Sequence, residues 1–293
     1  MLLPWHRISF QEVSAMQKTW FITGATRGFG VEIAKAALRA GDRVAATGRS
    51  RAAIGQGLGA DGDQLLSVEL DVTNADQARR AVDAAVKHFG GIDVLVNNAG
   101  YGHLGFFEEN TPQDVQAQFA TNVFGVFNVT WAALPVMRAA RKGLIYNLSS
   151  VAGIRGNEFG SLYSASKFAL EGFSESLAKE LEPFGIFVTI VEPGPFRTDF
   201  LTTESLKYGG KPIADYDARR AQLRESFEAR NGKQPGDPAK LAQAMVHLAG
   251  QPRPPMRFAA GAFAAHTART KLTGMLAELE SYEKVSVATD FTR

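Results

Sequence analysis

Tyr163 and Lys167 stand four residues apart in Tyr-Ser-Ala-Ser-Lys, at the head of a stretch that continues Phe168-Ala-Leu-Glu-Gly-Phe-Ser-Glu-Ser-Leu177. Leu162, Ala165, Ala169, Phe173, Leu177 and Leu181 recur at intervals of three and four, which predicts an amphipathic helix. Side chains four apart share one face of a helix, so the phenol and the ammonium come within reach of each other. A phenol keeps its proton to a pKa of about 10, and a fixed positive charge beside it lowers that value. Such a tyrosine can give and take a proton near neutral pH. The same spacing also occurs on ordinary helix rims, so the rest of the chain must decide.

Thr19-Trp-Phe-Ile-Thr23 is a β-rich run, followed by Gly24-Ala-Thr-Arg-Gly28-Phe-Gly30 and then a helical pattern through Ile33, Ala37 and Leu38. Strand, glycine turn and helix in that order suit a dinucleotide pyrophosphate: glycines let backbone N–H groups approach, and the helix N-terminus favours negative charge. A second strand, Arg43 to Thr47, ends in Gly48-Arg49, where a protein preferring NAD usually carries a carboxylate for the ribose 2′-hydroxyl. Arg49, with Arg27 in the glycine loop, suits a 2′-phosphate instead, because guanidinium binds phosphate oxygens in a bidentate way.

The βα period then repeats. Leu65 to Leu70 is a third strand ending at Asp71, Asn74 to Phe89 a helix, and Val94 to Val96 a fourth strand ending in Asn97-Asn98-Ala99-Gly100. Thr111-Pro112 opens a long helix running past Asn122 towards Ala140. Gly143 to Leu148 is a fifth strand delivering Ser149 and Ser150, and Ile186 to Val191 a sixth ending in Glu192-Pro193-Gly194. Met256 to Phe258 is a last short strand, between helices at Ala239 to Ala249 and Ala262 to Ser281. The expectation is an α/β fold: a single doubly wound parallel sheet of about seven strands with helices on both faces. Residues 16–293 form one such domain. Residues 195–236, loosened by Gly209, Gly210 and Gly232 around one helix from Tyr216 to Arg230, are a substrate lid or partner surface.

Composition excludes several classes. With 45% hydrophobic and 21% charged residues, the 293-residue chain is an ordinary globular protein, and a net charge of +2 without a basic block argues against nucleic acid. Cysteine is absent, so disulfides, thiolate nucleophiles and zinc–thiolate sites are excluded. The five histidines, His6, His88, His103, His247 and His266, show no paired ligand spacing, and no metal is expected. No run of 18 consecutive apolar residues occurs, so no membrane-spanning helix is expected. Residues 1–15 read as an extension outside the fold, disordered or not native, with Met16 the natural start.

Together these residues resemble the short-chain dehydrogenase/reductase superfamily over Lys18 to Phe291. The matching pieces follow the family's order: Thr23-Gly24-x-x-x-Gly28-x-Gly30, Asp71, Asn97-Asn98-Ala99-Gly100, Asn122, Ser150, Tyr163-x-x-x-Lys167, and Pro193-Gly194 with Thr198. Their joint spacing is specific where each alone is common. The resemblance implies the Rossmann fold and hydride transfer between a nicotinamide cofactor, NADP in preference to NAD, and a carbonyl or alcohol. Tyr163 would be the general acid and base, and Lys167 would lower its pKa and bind the nicotinamide ribose. Ser150, thirteen residues before Tyr163, would polarise the carbonyl oxygen, and Asn122 would anchor a water in the proton relay. Gly24, Gly28 and Gly30 would lie under the pyrophosphate, with Thr26 and Phe29 of the same loop also binding cofactor. Arg27 and Arg49 would take the 2′-phosphate, and Asp71 with Val72 the adenine. Asn98, Ala99 and Gly100 would border the adenosine ribose, and Pro193, Gly194, Phe196 and Thr198 the nicotinamide carboxamide.

Substrate choice is expected in Tyr101 to Phe107, Val151 to Leu162 and the lid. Phe106, Phe107, Phe159, Phe196 and Phe200 make these segments aromatic and suit an apolar alcohol or ketone. His103 and Glu158 read better as solvated loop residues than as substrate contacts. The length of the C-terminal part and the style around Tyr163 are most similar to the retinol and 17β-hydroxysteroid dehydrogenase branch. The superfamily resemblance implies a homodimer or homotetramer, because the Tyr163–Lys167 helix commonly forms subunit contacts there, and the protein is expected in the cytoplasm acting on a small molecule. Two other readings share the fold. A catalytically silent NADP sensor typically loses the tyrosine or lysine, both present here. A sugar-nucleotide epimerase usually shows Gly-x-x-Gly-x-x-Gly and a larger C-terminal part.

Overall fold

A computed structural model describes residues 17–202 and 205–291; the expected extension at 1–15 lies outside them. In chain order the elements are β1 (Thr19–Ile22), α1 (Gly28–Arg39), β2 (Arg43–Gly48), α2 (Arg51–Leu58), β3 (Leu65–Glu69), α3 (Ala75–Phe89), β4 (Val94–Asn97) and β5 (Gly102–Leu104). There follow α4 (Pro112–Phe119), α5 (Gly125–Ala140), β6 (Gly143–Leu148), α6 (Ser161–Leu181), β7 (Ile186–Pro193) and β8 (Leu206–Tyr208). Last come α7 (Asp217–Arg230), α8 (Pro238–Ala249), β9 (Arg257–Ala260) and α9 (Ala262–Val287).

Seven parallel strands form one sheet in the order β3-β2-β1-β4-β6-β7-β9. β1 and β4 are buried at every position, as strands covered on both faces must be. On one face Ile33 and Ala37 of α1 pack with Leu241 and Met245 of α8. On the other, Val82 of α3, Val129 and Ala133 of α5 and Leu177 of α6 form the second core. Trp20 is fully buried and satisfies its indole N–H on Asp42 at 2.7 Å, while the Tyr146 hydroxyl donates to the Met245 carbonyl at 2.7 Å. Strand order reverses between β1 and β4, which opens a crevice at the carboxyl ends of the strands, the place where such sheets bind ligands.

Four features depart from the expectation. α2 was not foreseen, because Gly55 and Gly57 blur its period; its one signal is Ser50, whose side chain accepts from the Ala53 N–H. β5 and β8 pair in a separate two-stranded sheet, so the 195–236 segment is tied to the loop after β4. A π-helical turn, Ala120–Phe124, interrupts the long helix at Asn122. By length and composition alone the combined stretch Pro112–Ala140 is apolar enough to cross a membrane. Here it packs into the protein, burying Val129, Ala133 and Met137 against the sheet. Finally, α9 runs to Val287 and buries only Ala264 and Thr267, leaving Leu272, Met275, Leu276, Leu279 and Tyr282 exposed.

Candidate active site

A cavity of about 1360 Å³ occupies the crevice. Of the residues expected to bind cofactor, Gly24, Thr26, Arg27, Gly28, Phe29, Arg49, Asp71, Val72, Asn98, Ala99, Gly100, Pro193, Gly194, Phe196 and Thr198 line it, as do Ser150, Tyr163 and Lys167. Gly30 and Asn122 do not.

The glycine loop is shaped by close approach. Gly24 has φ +65°, and a Cβ on Gly30 would stand 2.3 Å from the Gly24 carbonyl oxygen, so neither position tolerates a side chain. Asn98 holds this turn from β4: its amide donates to the Thr23 and Gly24 carbonyls at 2.8 and 3.1 Å. The Thr23 hydroxyl in turn accepts from the Asn98 and Ala99 N–H groups. Thr23 was quoted in the motif without a role, and its buried hydroxyl is what joins β1 to β4. α1 then begins at the loop with no side-chain cap and no acidic residue in its first turn, whereas α2, α3, α4 and α8 are capped by Ser50, Asn74, Thr111 and Asp237. Uncapped N–H groups beside a glycine cradle fit a pyrophosphate. Arg49 is exposed at the end of β2 and makes no ion pair among the described residues, while Arg51 is paired with Asp61 at 2.9 Å. The Asp71 carboxylate accepts from the Thr73 N–H and hydroxyl. Phe29 meets Phe196 edge-on at 5.3 Å, which closes the loop against the segment after β7.

At the other end, β6 delivers two serines to different partners. Ser149 is buried and donates to Glu171, whereas the Ser150 hydroxyl accepts from the Ala152 N–H at 3.1 Å and lines the cavity with Tyr163. The Lys167 ammonium donates to the Leu148 carbonyl at 2.7 Å and lies 5.7 Å from the centroid of the Tyr163 ring. Burial pushes the Tyr163 phenol up to about 12, opposed by the nearby Ser150 hydroxyl. Burial also pulls the Lys167 ammonium down to about 8, opposed by the charge of Glu171. In the protein alone, desolvation therefore outweighs the lowering of the phenol expected from its neighbour. Asn122 is engaged by protein groups: its side chain donates to the Tyr101 carbonyl and the Ser166 hydroxyl and accepts from the Tyr101 N–H. Ser166 donates onward to the Tyr163 carbonyl at 2.7 Å, so the π-turn is linked to the helix that carries the tyrosine.

The aromatic wall differs in membership from the expectation. Phe159 is buried, with φ +65°, in a cluster with Leu104, Leu206 and Phe106, and Phe107 is exposed. Phe196 and Phe200 do line the cavity, with Phe200 5.5 Å from the Tyr163 ring. Leu201, Tyr208, Leu223 and Phe227 join them from the 195–236 segment, and no sequence signal marked these as lining. His103, read as solvated, is instead buried on β5, because pairing with β8 covers it.

Glutamates fasten the segment. Glu158 is solvent-exposed and bridges to Arg219 through two bonds of 2.9 and 2.6 Å. Glu109 is buried; it pairs with Arg220 and accepts from the Ile213 N–H at 3.1 Å. Removing one partner of a buried pair costs about 3–5 kcal/mol because the other charge is stranded. Glu109→Ala is thus expected to release residues 205–230, seen as faster proteolysis there than in Glu158→Ala, whose exposed pair contributes far less. Equal cleavage of the two variants would contradict this.

Comparison with known proteins agrees with the geometry. A family profile described as short chain dehydrogenase matches residues 18–209. Among curated proteins, 3-ketodihydrosphingosine reductase of Bacteroides thetaiotaomicron is 39% identical over 82% of this chain and 86% of its own. Bovine retinol dehydrogenase 8 is 37% identical over 82% and 80%. A short-chain dehydrogenase structure from Streptomyces avermitilis superposes with a TM-score of 0.86 at 39% identity, covering 94% of this chain and all (100%) of the other. Solved relatives hold either cofactor form. 3-Ketoacyl-(acyl-carrier-protein) reductase of Brucella melitensis carries NADH (28% identity, TM-score 0.68, 80% of this chain and 92% of the other). ElxO carries NADP (27%, 0.66, 80% and 92%). With its strand order, its glycine cradle and these matches, the chain belongs to the short-chain dehydrogenase/reductase superfamily and is a nicotinamide-dependent oxidoreductase acting on carbonyl or alcohol groups.

Proposed function

We propose that the protein moves a hydride between NADP(H) and the carbonyl or alcohol of an apolar small molecule, with Tyr163 as general acid and base. The observation that carries this reading is that Ser150, Tyr163 and Lys167 line one cavity, with the Lys167 ammonium held on the Leu148 carbonyl 5.7 Å from the centroid of the Tyr163 ring. The nicotinamide supplies the hydride when bound. Ser150 and Tyr163 hold the substrate oxygen between two hydroxyls, and the phenol gives its proton as negative charge develops there. A phenol held near 12 keeps its proton across the neutral range, which suits the reductive direction. Lys167 faces the same space and binds the nicotinamide ribose. Arg49, with Arg27, takes the 2′-phosphate and favours NADP over NAD. Phe200, Leu201, Leu223 and Phe227 give the substrate end its apolar lining, and residues 195–236 act as its lid. Purified protein that binds NADPH and oxidises it against a panel of apolar ketones and aldehydes would support this; tight binding without turnover of any member would count against it.

Two exposed apolar surfaces support a homodimer or homotetramer: Phe124, Trp131 and Phe168 around α5 and α6, and the α9 stripe from Leu272 to Tyr282. The exposed apolar residues of α9 recur at three- and four-residue spacing, an apolar face of the kind that a partner covers. Truncation after Thr270 is expected to lower the number of chains per particle, taken from the light-scattering mass divided by the chain mass. An unchanged number of chains per particle would remove α9 from the interface. The reading also places the protein in the cytoplasm, which cell fractionation checks.

A further inference from the structure

Behind Lys167 lies a group of charges that the proposed reaction does not use. Lys167, Glu171 and Glu175 follow one another at four-residue spacing on α6, so they form a single row along the helix. Glu171 has a side-chain exposure of 7%, and Glu192, near the end of β7, of 3%. Arg257, at the start of β9, donates to Glu171, Glu192 and Glu175, and the Ser149 hydroxyl donates to Glu171. Gly153 closes the turn over them: a Cβ there would stand 2.5 Å from the Ser149 hydroxyl and 2.8 Å from the Glu171 carboxylate. Neither Glu171, Glu192 nor Arg257 lines the cavity.

The charge count is informative. Two buried carboxyls, Glu171 and Glu192, share one guanidinium, Arg257, while Glu175 reaches in from the exposed side and Lys167 stands one turn from Glu171 on the same row of α6. Burial raises the Glu192 carboxyl and the neighbouring Glu171 raises it further, while Arg257 opposes both. Burial drives Lys167 towards the neutral amine, and the opposing interaction comes from Glu171. Other elements on α6 bring charge from the cavity side: His103 on β5 and Asp114 on α4 line the cavity, and Tyr163 is on α6 itself. At the far end Glu182 is paired with Arg253.

We propose that Glu171, clamped by Ser149 and Arg257, is a positioning residue whose carboxylate keeps Lys167 an ammonium and so sets the upper pH limit of proton transfer through Tyr163. The part concerning turnover rests on the function proposed above. The sign follows directly. Removing an anion beside a buried ammonium favours the neutral amine, so Lys167 loses its proton at lower pH and the basic limb of the rate profile moves down. Structural support for the helix alone would not move that limb.

The test is the titration of Lys167, read by NMR in protein carrying carbon-13 lysine, with the signal identified by its loss in Lys167→Met. In Glu171→Gln the midpoint is expected to fall by roughly 1 to 3 pH units, and the basic limb of kcat to fall with it. Glu171→Asp, which retains a carboxylate on the same turn, returns most of the shift. The apolar Glu171→Met gives the same fall and replaces the amide variant should that not fold. A Lys167 midpoint in either neutral variant equal to that of the wild type overturns the proposal. If the wild type shows no Tyr163-dependent turnover, the functional reading fails, and the titration still decides the role of Glu171.

Discussion

Tyr163→Phe lowers kcat for carbonyl reduction by roughly 10²- to 10⁴-fold, the contribution of one positioned general acid. Removing the hydroxyl deletes the proton donor that shares the cavity with Ser150, while the ring keeps its place 5.5 Å from Phe200. The glycine cradle, Asn98 and Lys167 are untouched, so NADPH affinity persists. The expected pattern is a fall in kcat with cofactor binding retained, measured by NADPH fluorescence and by single-turnover oxidation. Loss of both together would mean that Tyr163 supports the fold rather than the chemistry. Burial sets the phenol near 12, so the wild-type reduction rate should show no acid-side loss from Tyr163 as pH falls towards neutrality.

Arg49→Asp reverses the cofactor preference. Arg49 stands exposed at the carboxyl end of β2, lines the cavity and has no ion pair among the described residues, so its guanidinium is available to a phosphate. A hydrogen bond to a charged group contributes about 1.5–3 kcal/mol. Replacing it with a carboxylate both deletes that attraction and adds repulsion. The ratio of kcat/KM for NADPH over NADH should fall by roughly 10²-fold or more. The aspartate would also supply the acceptor that a ribose 2′-hydroxyl wants. An unchanged ratio would show that the 2′-phosphate is not read at this strand end.

Much of this site was legible because its residues sit where strands end. Gly24, Asn98, Ser150 and Pro193 each follow a short β-rich run, and parallel strands deliver such positions to one edge. What was not legible depends on contacts between distant segments. β5 and β8 have three residues each and are joined across about a hundred positions, so neither shows a period, and His103 was misjudged because its cover comes from β8. The aromatic wall was half wrong for the same reason. Phe106 and Phe159 satisfy one another at 5.1 Å away from the cavity, while Leu223 and Phe227 line it from a helix with a polar composition. The π-turn at Asn122 replaces the regular helix that Pro112 to Ala140 would suggest by composition. Nothing in the sequence singles out Glu171. Only the approach of β9 reveals its arginine.

The most direct test of the central claim compares wild type and Tyr163→Phe in one experiment: fluorescence binding of NADPH, then its oxidation after mixing with the apolar carbonyl panel. The account predicts that both proteins bind NADPH and that only the wild type oxidises it, in the presence of at least one panel member. Oxidation by Tyr163→Phe at the wild-type rate would contradict it.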